Sequence, residues 1–346
     1  MKKRIKLMVG IIILTTSLAF VFPGCTPTST GATTAVTEAD AEATTAAAKE
    51  EGKLNFYFVT HGAPQEPYWA MVIKGMQDAA TALGVNATYI APETFSIEEM
   101  IGMLKSTIAL KPDGLGVTIT DPAAMKDDLT RAKEAGIPTI AIDTNDPAPK
   151  EQRVPYMFYI GPDHSTTGQQ TAQYMLDTRT IKRALVPVHE PGHVIMDLMV
   201  ATGFVKVMTD AGVPAEKLDV GLEMGGQVEA MRSYFEANPD TDAVFTLGLT
   251  PTLAYLQLAQ ELNLKDKVLF IGLGLNEAVL NALMDKTMLS AIDEEPYAIG
   301  FTGITWLYLY SKYKLWPIND INSTGPAFLT ADQAAQLKDA VLAGYR

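Results

Sequence analysis

His189-Glu190-Pro191-Gly192-His193 spells the one pattern in this chain with a named chemistry. His-Glu-x-x-His on a helix presents two zinc ligands one turn apart, with the Glu as general base. That geometry depends on the helix. Pro191 and Gly192 inside the motif, and Val186-Pro187-Val188 before it, place the segment on a strand-to-helix loop, where the two imidazoles lose their fixed spacing. No metal site and no cofactor are expected. Asp293, Glu294 and Glu295 bring carboxylates together as a glycosidase does, but the sequence does not give their separation. No serine or cysteine nucleophile arrangement stands out, and four His with no glycine-rich phosphate loop leave few candidates for acid-base work. Catalytic residues are therefore not assigned, and an enzyme is not expected. Without Gly-x-x-x-x-Gly-Lys-Ser/Thr the chain is not an ATPase.

The 346 residues allow about two domains. Short apolar runs alternate with stretches of helical spacing. Strands are expected at 54–60, 87–91, 114–119 and 138–142, with helices at 68–83, 97–110 and 123–135. A second series follows: strands at 184–188, 218–222, 243–247 and 268–273, helices near 196–211, at 227–237 and at 252–262. Parallel strands need crossover connections that helices supply, so the fold class is α/β, two doubly wound lobes in tandem. Ligands in such sheets sit at the carboxyl ends of the strands.

A basic start (Lys2, Lys3, Arg4, Lys6) and an apolar run from Leu7 to Phe22 form a secretory signal, residues 1–24, too short for a comfortable membrane span. Cys25, the only Cys, follows Gly24 and resembles the lipidated cysteine of a bacterial lipoprotein, although Phe22 and Pro23 depart from the usual residues there. Residues 25–52 are Thr, Ala, Ser and Glu with hardly a large apolar side chain and read as a disordered tether. Cleavage would remove four positive charges and no negative ones, taking the net charge from −13 to −17. Such acidity argues against nucleic acid as a partner. A lipid-anchored body on a polar leash belongs outside the cytoplasmic membrane.

Several segments together resemble the ribose-binding type (type I) of periplasmic solute-binding protein. They are Pro67-Tyr68-Trp69 with Gly75; Lys111-Pro112-Asp113-Gly114-Leu115; Ala135-Gly136-Ile137-Pro138 with Ile142-Asp143; Ile160-Gly161-Pro162-Asp163; Gly203-Phe204; Ile271-Gly272; and Ile292-Asp293-Glu294-Glu295-Pro296-Tyr297. The resemblance runs in register from about residue 54 to 330. It implies two lobes joined by three crossovers: 53–161 plus 295–325, and 162–294 plus 326–346. It also implies a monomer that delivers a small sugar-like solute to an ABC permease whose ATPase subunits are separate chains. Delivery to a chemoreceptor or sensor kinase is the alternative.

By the same resemblance Tyr68 and Trp69 are stacking aromatics, and Asp143 and Asn145 form a diol-binding loop. Glu294 stands at a lobe crossover, where an amide stands in ribose-binding proteins. His61 ends the first strand, His189 and Glu190 follow the fifth, and Asp197 opens the next helix; all are expected to face the ligand. Sugar recognition combines aromatic faces on C–H surfaces with charged and amide groups for hydroxyls. Where ribose-binding relatives carry Arg, Asn and Asp, this chain has Val200, Gly248 and Gly274. The ligand is therefore not expected to be ribose, and a deoxysugar, a larger sugar, a cyclic polyol and an amino sugar stay open.

Overall fold

The computed structural model describes residues 52–190 and 193–346, the side chains of residues 165 and 197–201 excepted. The expected signal, Cys25 and all of the tether but its last residue lie outside the described residues, as does the side chain of Asp197.

In chain order the elements are β1 (Asn55–Val59), α1 (Pro67–Leu83), β2 (Asn86–Ile90), α2 (Ile97–Ala109), β3 (Gly114–Val117), α3 (Pro122–Glu134), β4 (Thr139–Ile142) and β5 (Tyr159–Gly161). There follow α4 (His164–Thr178), β6 (Ala184–Val188), α5 (Val194–Leu198), a π-helical stretch (Met199–Phe204), α6 (Val205–Asp210), β7 (Ala215–Asp219), α7 (Met224–Ala237) and β8 (Ala243–Thr246). The remainder is α8 (Leu249–Glu261), β9 (Leu269–Leu273), α9 (Glu277–Met284), β10 (Ser290–Asp293), α10 (Pro296–Tyr313), β11 (Ile321–Ser323), β12 (Ala327–Leu329) and α11 (Ala331–Leu342).

Two six-stranded sheets result, ordered β2-β1-β3-β4-β5-β11 and β7-β6-β8-β9-β10-β12. Every pairing is parallel except β12 with β10. The expected pair of α/β lobes is present, and the chain passes between the sheets three times: from β5 into α4, from β10 into α10, and from β11 to β12.

The inner strands of each sheet are buried on both faces, as in parallel sheets covered by crossover helices. In the first, Phe56 and Phe58 face α1 and α10 with Met76, Ile299 and Leu307, while Val59, Leu115 and Val117 face Met100, Leu104, Met125 and Leu129 of α2 and α3. The second sheet separates two further cores in the same way. Ser96, Asp121 and Asn276 cap α2, α3 and α9 by accepting backbone N–H bonds at 3.0 Å or close to it, which fixes where the helices leave the sheet edges. Helix α10 arrives from the second sheet and lies against α1 with the backbones in near contact. A Cβ at Gly75 would stand 2.1 Å from the Tyr297 carbonyl, and one at Gly300 2.0 Å from that of Val72.

The strand expected at 218–222 lies instead at Ala215–Asp219. It is an edge strand of mixed exposure, so its residues carry little apolar signal, and the more apolar stretch downstream is the turn that follows it. The helix expected near 196–211 is broken by the π-helical stretch, where Gly203 meets α4: a Cβ there would lie 3.0 Å from Gly168 Cα.

Candidate ligand-binding cleft

The carboxyl ends of both sheets face one cavity, whose empty space out to its mouth is about 670 Å³. From the first lobe come His61 after β1, Glu66, Tyr68 and Trp69 at the start of α1, and Asp143 and Thr144 after β4. From the second come His164 opening α4, His189 and Glu190 after β6, His193 and Met196 around the start of α5, and Gly248 and Gly274 after β8 and β9. Glu294 enters from the β10 crossing. All four histidines of the chain line this one cavity, beside four carboxyl groups, and no Lys or Arg is among the described lining residues.

Asp143 is the most connected of them. Its backbone is left-handed at φ 60°, a conformation non-glycine residues rarely adopt. Its carboxylate accepts from the Tyr68 hydroxyl at 2.5 Å and from Thr144 Oγ1 at 2.8 Å. Its carbonyl accepts from the Tyr159 hydroxyl and contacts His164 Nε2 at 2.9 Å. The turn that aims Asp143 inward carries Asn145 out of the cavity, to the side of Tyr156.

Trp69 is almost fully buried and packs over Gly62, where a Cβ would overlap its indole. It meets His61 edge to face at 5.0 Å and Tyr68 at 5.2 Å, so it both anchors α1 and walls the cavity. His61 Nδ1 lies 3.0 Å from Thr118 Oγ1, and burial holds its imidazole down to about 4, against the opposing pull of Asp143. His189 is likewise held down to about 4, first by burial and then by His61.

Burial drives the Glu190 carboxyl well above the usual carboxylate range, and the charges of Glu66 and Asp143 add to it. Glu294 is pushed up the same way, by burial first and then by Asp143 and Asp293; its Oε1 is buried without a hydrogen-bond partner. The neighbouring acids turn the other way: Asp293 and Glu295 are held by Arg346 at 2.6 and 2.8 Å, so one face of the acidic run enters the cleft.

The glycines that replace polar anchors are not simply open backbone. Gly248 has φ +130°, and a Cβ there would stand 2.6 Å from His189 Cε1; at Gly274 it would stand 2.9 Å from Leu249 Cβ. An imidazole and a leucine occupy the space that side chains at 248 and 274 would use.

Glu66, His164 and Phe95 were outside the sequence expectation. Phe95 follows β2 and stacks on His193 at 6.0 Å between ring centroids. His164 carries a signal in hindsight, a polar residue directly after the first sheet-to-sheet crossing. His189, Glu190 and His193 lie outside any helix, and α5 begins only at Val194.

A family model for the periplasmic binding protein domain matches residues 56–315. The xylose/arabinose-binding protein of Sulfolobus acidocaldarius is 25% identical over 286 residues, 79% of this chain and 70% of that protein. The periplasmic sugar-binding protein of a Legionella pneumophila ABC sugar transporter is 28% identical with a TM-score of 0.72, covering 79% of this chain and all of that one. An Acidothermus cellulolyticus carbohydrate transporter protein, solved with myo-inositol, superposes with a TM-score of 0.77 at 23% identity, covering 85% of this chain and all of that one. With a family match over most of its length and the same two-lobed fold, the chain belongs to the periplasmic binding proteins of type I, a family of solute-binding proteins and not of enzymes.

Proposed function

We propose that this is an extracytoplasmic solute-binding lipoprotein of an ABC importer, anchored through Cys25, that captures a monosaccharide or related polyol in the interlobe cleft. The observation that carries the reading is the lining of the cavity. Carboxyl and imidazole groups from both lobes converge beside Tyr68 and Trp69, with apolar Met196, Leu247, Leu249 and Leu273 between them. Sugar hydroxyls donate to carboxylates and exchange hydrogen bonds with neutral imidazoles, while the C–H faces of the ring lie on aromatic and aliphatic surface. Relatives named for xylose, arabinose and sugar transport support the class. The apolar wall of Met196, Leu247, Leu249 and Leu273 suits a deoxysugar, a larger sugar or a cyclic polyol, and the carboxyl groups, with no Lys or Arg among the described lining residues, suit an amino sugar as well.

The lobes are 53–161 plus 295–325 and 162–294 plus 326–346, hinged at the three crossings. His61 of the first and His193 of the second meet with ring centroids 4.8 Å apart, as closure over a ligand requires. Binding drives closure to the extent that the closed form holds the ligand more tightly. The closed monomer is then read by a membrane permease whose ATPase is a separate chain.

Thermal denaturation against pentoses, hexoses, deoxyhexoses, amino sugars and inositols tests the reading. At a hundredfold excess over Kd a native-state ligand adds about 2.7 kcal/mol and raises Tm by several degrees. One compound shifting Tm while its isomers stay silent supports the proposal. A silent panel, on protein free of ligand from the expression host, contradicts it.

A further inference from the structure

We propose that His61, Glu190 and His193 form a divalent transition-metal site, of the kind zinc occupies, that bridges the two lobes at one end of the cleft. One donor atom from each residue lies within 4.8 Å of the other two, and all three residues are buried. Ligand atoms about 2.1 Å from a tetrahedral zinc stand about 3.4 Å apart, so binding asks for a contraction of up to about 1.4 Å. The His-Glu-x-x-His spacing does not supply this geometry, because the helix begins only after the motif, at Val194. The fold supplies it by bringing His61 from the other sheet.

The donor orientation fits a metal. Thr118 Oγ1 lies 3.0 Å from His61 Nδ1, accepts from the His61 amide at 3.1 Å and is 3.7 Å from the Met100 sulfur. In the tautomer with the proton on Nδ1 the hydroxyl accepts from it and the lone pair is left on Nε2, which lies 3.9 Å from Glu190 Oε2. A metal-binding imidazole commonly has its other nitrogen engaged in this way. Glu190 Oε1 is 3.7 Å from His189 Nε2, so its carboxylate sits between two imidazoles, at distances longer than a hydrogen bond. The Glu190 carbonyl accepts from the His193 amide at 3.2 Å, which keeps the two residues adjacent. His193 Nδ1 accepts a long 3.4 Å bond from the Met196 amide; ligation through Nε2 moves the proton to Nδ1 and gives that contact up. Two imidazoles and one carboxylate suit zinc, nickel or copper rather than magnesium or calcium, and the fourth position stays open to the solute or to water.

Because one ligand comes from the first lobe and two from the second, metal alone should draw the lobes together. The site stands whether or not the solute is a sugar. The test is calorimetric titration of chelator-stripped protein with zinc chloride, with magnesium and calcium as controls and solution scattering in parallel. One zinc per chain is expected, with no response to magnesium or calcium and a smaller radius of gyration on zinc addition. His61→Ala and His193→Ala should remove that binding, and Thr118→Val should weaken it about 10- to 100-fold while leaving Glu190 and His193 in place. His61→Gln, of similar size, keeps the fold if His61→Ala does not. Absence of zinc binding, or binding unchanged by His61→Ala or His61→Gln, overturns the bridging site. A protein that ignores zinc yet responds to a sugar overturns this site and leaves the solute reading intact; one that binds zinc and ignores every sugar does the reverse.

Discussion

The Tyr68 hydroxyl donates to Asp143 Oδ1 at 2.5 Å, tying the first turn of α1 to the loop after β4. Both groups line the cavity, so a ligand meets a carboxylate already aimed and partly neutralised by a donor. Tyr68→Phe removes that donor and leaves the ring. A hydrogen bond to a charged group contributes about 1.5–3 kcal/mol, so ligand affinity should fall about tenfold or more, as calorimetry would read. An unchanged Kd would remove Asp143 from the binding surface.

Glu294 holds a buried carboxyl whose pKa is raised first by burial, then by Asp143 and Asp293; Tyr68 and His164 also line the cavity it faces. A raised native pKa means the folded state keeps its proton when the unfolded chain has released it. The associated stability is complete below the ordinary value of 4.5 and is lost as pH rises through the native pKa. Glu294→Gln should therefore be more stable than wild type at neutral pH and equal to it near pH 4, while binding its solute more weakly. Denaturant titrations at several pH values check this; parallel curves for the two proteins would contradict it.

Gly248 owes its place to two constraints at once, φ +130° and the His189 imidazole. Gly248→Ala strains the backbone and displaces the ring, at a cost of about 1–3 kcal/mol. Tm and ligand affinity should fall together. A variant that loses stability but binds normally would place His189 outside the recognition surface.

The sequence reveals much of the fold because its strands are short apolar runs set between amphipathic helices, as at Phe56 and Phe58 or Leu115 and Val117, where side chains are buried on both sheet faces. It does not reveal β5, β11 and β12, three residues each and too short to carry a periodicity. The edge strand β7 is displaced because exposure had erased its pattern. At the cleft, His61, Tyr68, Trp69, Asp143, His189, Glu190 and Glu294 stand where strand ends and helix starts put them. Asn145 turns away because Asp143 adopts a left-handed backbone, which nothing in the local sequence demands. His164 reaches the cleft through the crossing from β5, Glu66 lines it from just ahead of α1, Phe95 packs on His193, and the partnership of His61 with His193 joins residues 132 positions apart.

Solution scattering with and without the solute found by the thermal panel tests closure of the cleft most directly. The account predicts a smaller radius of gyration in the bound protein, and no such change in Asp143→Ala at the same ligand concentration. A bound protein with an unchanged radius would contradict capture between the two lobes.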